Sequence, residues 1–238
     1  MNPKLKTPLP NEPSPAPPSG QAQALLAAVS EAMAKSGGMA ISMNELAKKV
    51  NVSRPALYYH FRDKTDIIRR LAEEVTEDAN RLFAEIDAQE FSSAQEKLYA
   101  LCRIRALHIF AKRYNFRLLV IAESALPEPA STAHQNQKKE VLRFYRDIIL
   151  QGVDSGEFVV EDATTAALSI IGLVNWAAWW FDDERNDAEE TAVQLAEMCL
   201  NCVLGPSTRG ASQTEVLLDN LESSLGQLRQ VLANAKQT

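Results

Sequence analysis

The segment NVSRPALYYHFRDK, residues 51–64, concentrates side chains that can donate hydrogen bonds to phosphate oxygens and to base edges. Tyrosine hydroxyls and imidazole groups suit phosphate contacts, whereas arginine also suits the edges of bases. The side chains with this chemistry are Arg54, Tyr58, Tyr59, His60, Arg62 and Lys64. Residues of these types, at this density, predict a surface that contacts nucleic acid.

Local helix signals position these side chains on a short helix that follows another short helix. Ser42 and Glu45 have the spacing of a capping box, in which each side chain accepts from the other residue's amide. Ser53 is a second N-cap, and Pro55 fits the first turn of the helix that it opens. Asn51 between them tolerates the left-handed conformation that ends a helix. Residues 42–61 are therefore predicted to form a helix-turn-helix.

The apolar residues of this segment decide which side chains remain outside. Leu57 and Phe61 are four apart and face inward, together with Ile41, Leu46, Ala47 and Val52. Arg54, Tyr58, Tyr59 and His60 cannot all share that face, so several of them are expected to be exposed. Any helical hairpin is the plain alternative, but exposed tyrosines and histidine among basic groups favour a DNA-contacting one.

Charge is distributed unevenly along the 238 residues, whose net charge is −6. Residues 1–70 hold ten Lys/Arg against five Asp/Glu, a net +5, so the remainder carries −11. A basic N-terminal part on an acidic larger part predicts that the first part meets a polyanion.

Composition favours an all-α fold, because glycine is scarce and helix-forming residues dominate. We predict a disordered, proline-rich leader at 1–20, which holds seven of the 11 prolines. A first helix spans 21–36, and Asp63 caps a long helix that connects the two parts of the chain. The helices expected from there on are 63–87, 93–113, 115–125, 131–155, 162–181, 187–204 and an amphipathic one at 212–235.

Several classes of protein are disfavoured by what the chain contains. Three cysteines fit a reducing cytoplasm, and the N-terminus lacks a signal-peptide core. The uncharged stretch 163–181 has membrane-like length, but its acidic flanks favour a buried helix of a soluble assembly. Cys199 and Cys202 have metal-like spacing without a second pair, so packing is preferred over a metal site. No catalytic constellation or phosphate loop is visible, so an enzyme is the less favoured alternative.

The stretch SMNELAKKVNVSRPALYYHFRDKTDII resembles the DNA-binding segment of the tetracycline-repressor (TetR) family of bacterial regulators. The matching features are the capped helix, the pairs Val52-Ser53, Leu57-Tyr58 and His60-Phe61, and Lys64. Two positions depart from the family pattern: Asn51 replaces the usual glycine, and Ile41 replaces Thr or Ser. The resemblance implies an N-terminal three-helix DNA-binding domain at 21–67 and a helical ligand-binding and dimerisation domain at 68–206. The helix within 207–238 is an addition to that pattern.

The resemblance also implies roles for individual residues in DNA binding. Ser42 matches a cap whose hydroxyl touches phosphate, and Lys64 opens the fourth helix toward the DNA backbone. Tyr59 matches a position that reaches the backbone or a base. The complete set of expected DNA contacts is Ser42, Arg54, Pro55, Ala56, Tyr58, Tyr59, His60 and Lys64.

In the C-terminal domain the resemblance implies a homodimer through helices 162–181 and 187–204, and a small-molecule effector. GLVNWAAWWF is similar to a pattern in regulators of fatty-acid and steroid breakdown that sense acyl-CoA thioesters. An acyl-CoA, gripped by arginines of 103–117, and a lipophilic or aromatic drug of the kind sensed by efflux regulators both remain open. The candidate ligand residues are Arg105, His108, Phe116, Asn175, Trp176 and Trp179, although dimer packing is the preferred role of the tryptophans. No cofactor is expected. A helical interaction protein without specific DNA binding is the remaining alternative.

Overall fold

The structure is a computed structural model, and it describes residues 20–205. Within that range it is built from nine α-helices and two short 3₁₀ turns, without a strand, so the predicted all-α class is confirmed. The helices are α1 Gly20–Lys35, α2 Met43–Lys49, α3 Arg54–His60, α4 Lys64–Asp87, α5 Ala94–Ala111, α6 Arg113–Ala122, α7 Ala130–Asp154, α8 Ala163–Trp180 and α9 Ala188–Asn201. The predicted helix at 212–235 and residues 1–19 of the predicted leader lie outside the described residues; Gly20 already belongs to α1.

The capping signals of the sequence set the geometry between α2 and α3. The Ser42 hydroxyl accepts from the Glu45 amide, and the Glu45 carboxylate accepts from the Ser42 amide at 3.0 Å. Ser53 caps α3 through the Ala56 amide at 3.3 Å, with Pro55 in the first turn. Asn51 has φ +54°, the left-handed conformation predicted for it. The helix-turn-helix geometry therefore follows from four local signals.

The N-terminal core includes residues of α6, a helix that the sequence assigned to the C-terminal domain. Leu57 and Phe61 are buried with residues of α1, α2 and α4, as expected from their spacing. Leu118, Leu119 and Ala122 of α6 are buried in the same cluster, together with Leu126 just beyond that helix. The segment after α5 therefore closes the core of the N-terminal part, and the two parts of the chain share α6.

The C-terminal part is a helical bundle around α5. α5 packs against α7, α8 and α9, while α4 and α7 run alongside each other. α8, the uncharged helix, buries Ala167, Ile170, Val174 and Ala177 on one side. Among the described helices, none has the combination of length and apolarity needed to cross a membrane.

Candidate nucleic-acid interface and effector cavity

The outward side of α3 presents the side chains that the sequence assigned to DNA contact. Tyr59 is 86% exposed, and Arg54, Pro55 and Ala56 are exposed as well. The Arg54 guanidinium lies 5.4 Å from the centroid of the Tyr58 ring, which is also exposed. Leu57 points the other way and is fully buried. A seven-residue helix that displays an arginine and two tyrosines can lie against a polyanion without rearranging its own core.

His60, Ser42 and Lys64 are more constrained than the outward residues of α3. The His60 ring is partly buried and meets the Tyr59 ring edge-on, with centroids 5.1 Å apart. The exposed Ser42 hydroxyl donates to the Glu45 carboxylate at 2.7 Å, and this bond is the largest cause lowering the Glu45 pKa. The Lys64 ammonium donates to the Met39 carbonyl at 2.5 Å. Lys64 therefore ties α4 to the turn before α2 in this structure.

Three further cations belong to the same exposed region. Lys48 and Lys49 were not assigned to the interface from sequence, and Arg62 was named for its chemistry but is absent from the list of expected DNA contacts. Lys48, Lys49 and Arg62 are exposed and, like Arg54, form no ion pair within residues 20–205. Nearby carboxylates are engaged elsewhere, since Glu45 caps α2 and Asp66 bonds to Arg69 and Arg70. These basic side chains remain available to a polyanion because the acidic residues near them already bond to other groups. This pattern could have assigned the three positions to the interface from sequence.

The structure brings three of the six candidate ligand residues together around a small cavity between α4, α5 and α6. Arg105, His108 and Phe116 line it with Val75, Asp78, Ile109, Lys112 and Asn115. The Arg105 guanidinium lies 5.9 Å from the Phe116 ring centroid, and Trp179 meets Phe116 edge-on at 6.0 Å. The cavity measures about 20 Å³, enough for about one water molecule.

The other three candidates do not line this cavity. Trp176 is 63% exposed and stacks on Trp179 with ring centroids 5.6 Å apart. Asn175 is partly buried and lies outside the cavity wall. Trp179 thus stands between Phe116 of the cavity wall and the exposed Trp176.

Ionisation around the cavity follows from burial. Burial first, and the positive charge of Arg105 second, lower the pKa of His108, so this imidazole is neutral at pH 7. Burial also lowers the pKa of the Arg105 guanidinium, which remains charged because its ordinary pKa is so high. The cavity therefore holds one partly buried positive charge beside a neutral imidazole.

A larger groove of about 560 Å³ lies next to the cavity, between α1, α4 and the junction of α5 and α6. Asp78, Lys112 and Asn115 line both spaces. The Lys112 ammonium bonds to Glu74 at 2.7 Å and to Asp78 at 2.5 Å. Lys112 therefore links the end of α5 to the middle of α4 at the boundary between cavity and groove.

The two cysteines with metal-like spacing differ in solvent exposure. Cys199 is buried and Cys202 is exposed. Cys199 instead contacts Cys102 of α5, and this hydrogen bond, followed by burial, raises the pKa of the Cys102 thiol. In the described part of the chain, no three His, Cys, Asp or Glu side chains form a group that could hold a metal ion.

Two family models match this chain over most of its length. Residues 25–71 match the bacterial regulatory proteins of the tetR family, and residues 92–203 match the tetracyclin repressor-like C-terminal domain. The chain belongs to the TetR family. Members of this family are DNA-binding transcriptional regulators and not enzymes, so the family expectation from residues 42–68 is confirmed.

Solved structures of TetR-family regulators share the fold at low sequence identity. The ketosteroid regulator KstR2 of Mycobacterium tuberculosis has a TM-score of 0.72 at 16% identity, covering 79% of this chain and 97% of its own. PfmR of Thermus thermophilus has a TM-score of 0.66 at 21% identity, covering 74% and 97%. AibR, solved with isovaleryl coenzyme A and operator DNA, has a TM-score of 0.62 at 19% identity, covering 77% and 98%. These likenesses show the architecture of the family.

Proposed function

We propose that this TetR-family regulator is a dimeric repressor that binds a palindromic operator through α3 and is released by a small lipophilic effector. The observation that carries the proposal is the exposed group of Arg54, Tyr58 and Tyr59 on a helix whose opposite side is buried. The unpaired cations Lys48, Lys49 and Arg62 of the described range add positive charge beside it. Such a protein acts in the cytoplasm, where the operator is.

The proposed homodimer rests on α8 and α9. Leu168, Gly172, Trp176 and Trp180 recur every four residues on α8 and are all exposed, opposite the buried side of that helix. Met198 of α9 is exposed as well, although α9 packs against α5. An apolar stripe of this kind on two adjacent helices is covered when the same surface of a second subunit meets it. Two-fold symmetry then places two copies of α3 about one DNA turn apart, or a multiple of it.

The proposed effector acts on the cavity of Arg105, His108 and Phe116. AibR, a structural relative, binds isovaleryl coenzyme A, which supports a lipophilic acyl compound as one candidate here. α4 starts at the DNA-binding core and forms one wall of the cavity through Val75 and Asp78. A ligand that moves α4 changes the separation of the two α3 helices, and a coupling of about 1–3 kcal/mol is typical of such linkage.

The first experiment is binding of the purified full chain to DNA that spans its own promoter, with excess nonspecific competitor. We expect a discrete complex that is lost in Tyr59→Ala and Arg54→Ala. Arg143→Ala is the matched control, because Arg143 is an exposed arginine of α7 that pairs only with neighbouring Glu140 among the described residues. Its complex is expected to equal that of the wild type.

A failed shift is followed by selection of bound fragments from the whole genome. If the wild type selects no sequence there, the repressor proposal is wrong and the chain is a helical interaction protein. If the wild type and Tyr59→Ala select the same operator with equal affinity, α3 is not the helix that recognises the operator. Either result contradicts the proposal at a different point.

A further inference from the structure

Arg105 differs from every other arginine of α5 and α6 in having no acidic or carbonyl partner within the described range. Arg103 bonds to Glu189 at 2.6 Å, and Arg113 pairs with Asp183 at 2.7 Å. Arg117 donates to the Trp179 carbonyl at 2.8 Å. These three arginines are therefore committed to holding α8, α9 and the loop between them. They are not available to grip a ligand's phosphates.

The groups that face Arg105 compensate its charge only in part. Asp78 on α4 is the acidic residue that acts on Arg105, but it is bonded to Lys112 at 2.5 Å and to Arg81 at 3.2 Å. Tyr145 on α7 also faces Arg105, and because burial raises the pKa of its phenol, it brings no negative charge. His108 is neutral and Lys112 is positive. Arg105 is partly buried, and a guanidinium without an acidic or carbonyl partner in the described range favours an anion that reaches it.

We propose that Arg105 binds the carboxylate of a small organic acid, so that the effector is a free acid and not a coenzyme A thioester. This inference rests on the proposed function, in which the cavity at Arg105 receives the effector. Asn115 supplies a second recognition group: it is only 4% exposed, lines the cavity, and its side-chain amide has no hydrogen-bond partner within the described residues. A guanidinium and an amide together can bind both oxygens of a carboxylate.

Space limits where the rest of the acid can lie. The cavity of about 20 Å³ has room for about one water molecule, so it can take one carboxylate oxygen and no more of the acid. The adjoining groove of about 560 Å³ shares Asp78, Lys112 and Asn115 with it and is walled on one side by Ala27 and Ala28 of α1. The acid's body therefore extends past Lys112 into the groove. There it touches α1, which belongs to the DNA-binding core.

The test measures thermal stability of the full chain with matched probes: straight-chain and aromatic carboxylic acids, the corresponding primary amides, and the acyl-CoA thioesters of the straight-chain acids. DNA is absent, so the result is independent of whether an operator has been found. We expect one or more acids to raise Tm, and the matched amide and thioester to have no effect. Tryptophan fluorescence should report the same binding, because Trp179 contacts Phe116 of the cavity wall.

Two variants separate ligand binding from packing. Arg105→Met keeps the bulk of the side chain and removes the unpaired charge, so the free protein should melt at the wild-type Tm or higher. The same variant should weaken binding of the acid at least tenfold, as expected for losing a charge-assisted pair. Arg103→Met, two residues away on α5 and paired with Glu189, should leave binding of the acid unchanged.

Three results would overturn the inference. One is that no acid of the panel shifts Tm or tryptophan fluorescence at millimolar concentration. Another is that amides or thioesters bind as well as acids. The last is that Arg105→Met lowers Tm and leaves acid binding intact, which would make Arg105 a packing residue. Specific operator binding in the DNA experiment would stand in all three cases.

Discussion

Individual residues of the helix-turn-helix determine its backbone geometry. Asn51 has φ +54°, and the amide of the next residue, Val52, donates to the Ala47 carbonyl at 3.0 Å to close the end of α2. A side chain with a Cβ is sterically strained in this conformation, which asparagine offsets in part with local hydrogen bonds and glycine avoids. The orientation of α3 relative to α2 therefore depends on what residue 51 tolerates.

Asn51→Ala should lower the free energy of unfolding by about 1 kcal/mol, because alanine is strained in the left-handed region. Asn51→Gly is the matched control, and it should cost distinctly less since glycine adopts that φ freely. Urea unfolding of both variants measures the difference. Equal losses for alanine and glycine would show that the Asn51 side chain, and not its backbone conformation, stabilises the turn.

Ser42→Ala should destabilise the protein by about 1 kcal/mol through loss of the α2 cap. The same substitution removes the hydroxyl assigned to phosphate contact, so it should also weaken DNA binding. Ser53→Ala removes the α3 cap and serves as the comparison in both urea unfolding and the DNA-binding titration. A Ser42→Ala protein with wild-type stability would mean that the capping box contributes nothing beyond what water supplies.

At the scale of the element, α8 is divided lengthwise into a buried and an exposed side. Ala167, Ile170, Val174 and Ala177 pack into the bundle, whereas Leu168, Trp176 and Trp180 are left outside with Gly172 between them. A helix apolar on both sides needs two partners. The bundle supplies one partner, and the proposed second subunit supplies the other.

Trp176→Glu should convert the proposed dimer into monomers, because it places a charge in the middle of the exposed stripe of α8. Val120→Glu is the matched control, since Val120 is an exposed apolar residue of α6 outside the proposed interface. Sedimentation velocity distinguishes the two species. A wild-type protein that sediments as a monomer, or a Trp176→Glu protein that remains a dimer, would contradict the interface.

At the scale of the whole molecule, α6 joins the two parts. Leu118 and Leu119 are buried in the N-terminal core, while Phe116 of the same helix lines the proposed effector cavity beside Trp179. Both parts also share α4. A perturbation of either core is therefore expected to reach the other, since packed elements transmit strain.

Leu119→Ala should cost about 2–5 kcal/mol, the usual range for truncating a buried leucine. Although residue 119 lies far beyond the DNA-binding segment in the chain, amide exchange should rise in α2 and α3 as well as in α6. Hydrogen exchange read by mass spectrometry measures this. A loss of amide-exchange protection confined to α5–α9 would show that α6 belongs to the C-terminal bundle alone.

Acid should destabilise the protein through His108 and His134. Burial is the largest cause lowering the pKa of each from the ordinary value of 6.5. Below that value the unfolded chain binds protons that the folded chain refuses, so stability is fully present above about pH 6.5 and is lost as the pH falls. Most carboxylates titrate below about pH 5, which leaves the window from about pH 7.5 to 5.5 to the histidines.

The measurement is urea unfolding across that window. A His108→Gln/His134→Gln protein should lose less stability than the wild type between the two ends. Parallel losses in the two proteins would mean that neither histidine is responsible. His134 has an independent structural sign of burial, because its Nδ1 atom lies buried without a hydrogen-bond partner in the described range.

Local chemistry was sufficient to predict the DNA-binding segment from sequence. The capping box at Ser42, the cap at Ser53, the turn at Asn51 and the inward spacing of Leu57 and Phe61 all act between residues close together in the chain. Such short-range preferences are properties of the chain itself. For the same reason the helix ranges that were predicted from capping and periodicity agree closely with those of α4 to α9.

Contacts between distant elements could be identified only from the tertiary structure, not from the sequence. Periodicity shows that α6 is apolar, but not that Leu118 and Leu119 enter the N-terminal core while Phe116 turns to the bundle. It likewise could not separate Arg105, which lacks a partner in the described range, from Arg103, whose partner Glu189 is 86 residues away. Whether a charged side chain is neutralised depends on contacts between distant elements, because Coulomb interactions follow distance in space and not in sequence.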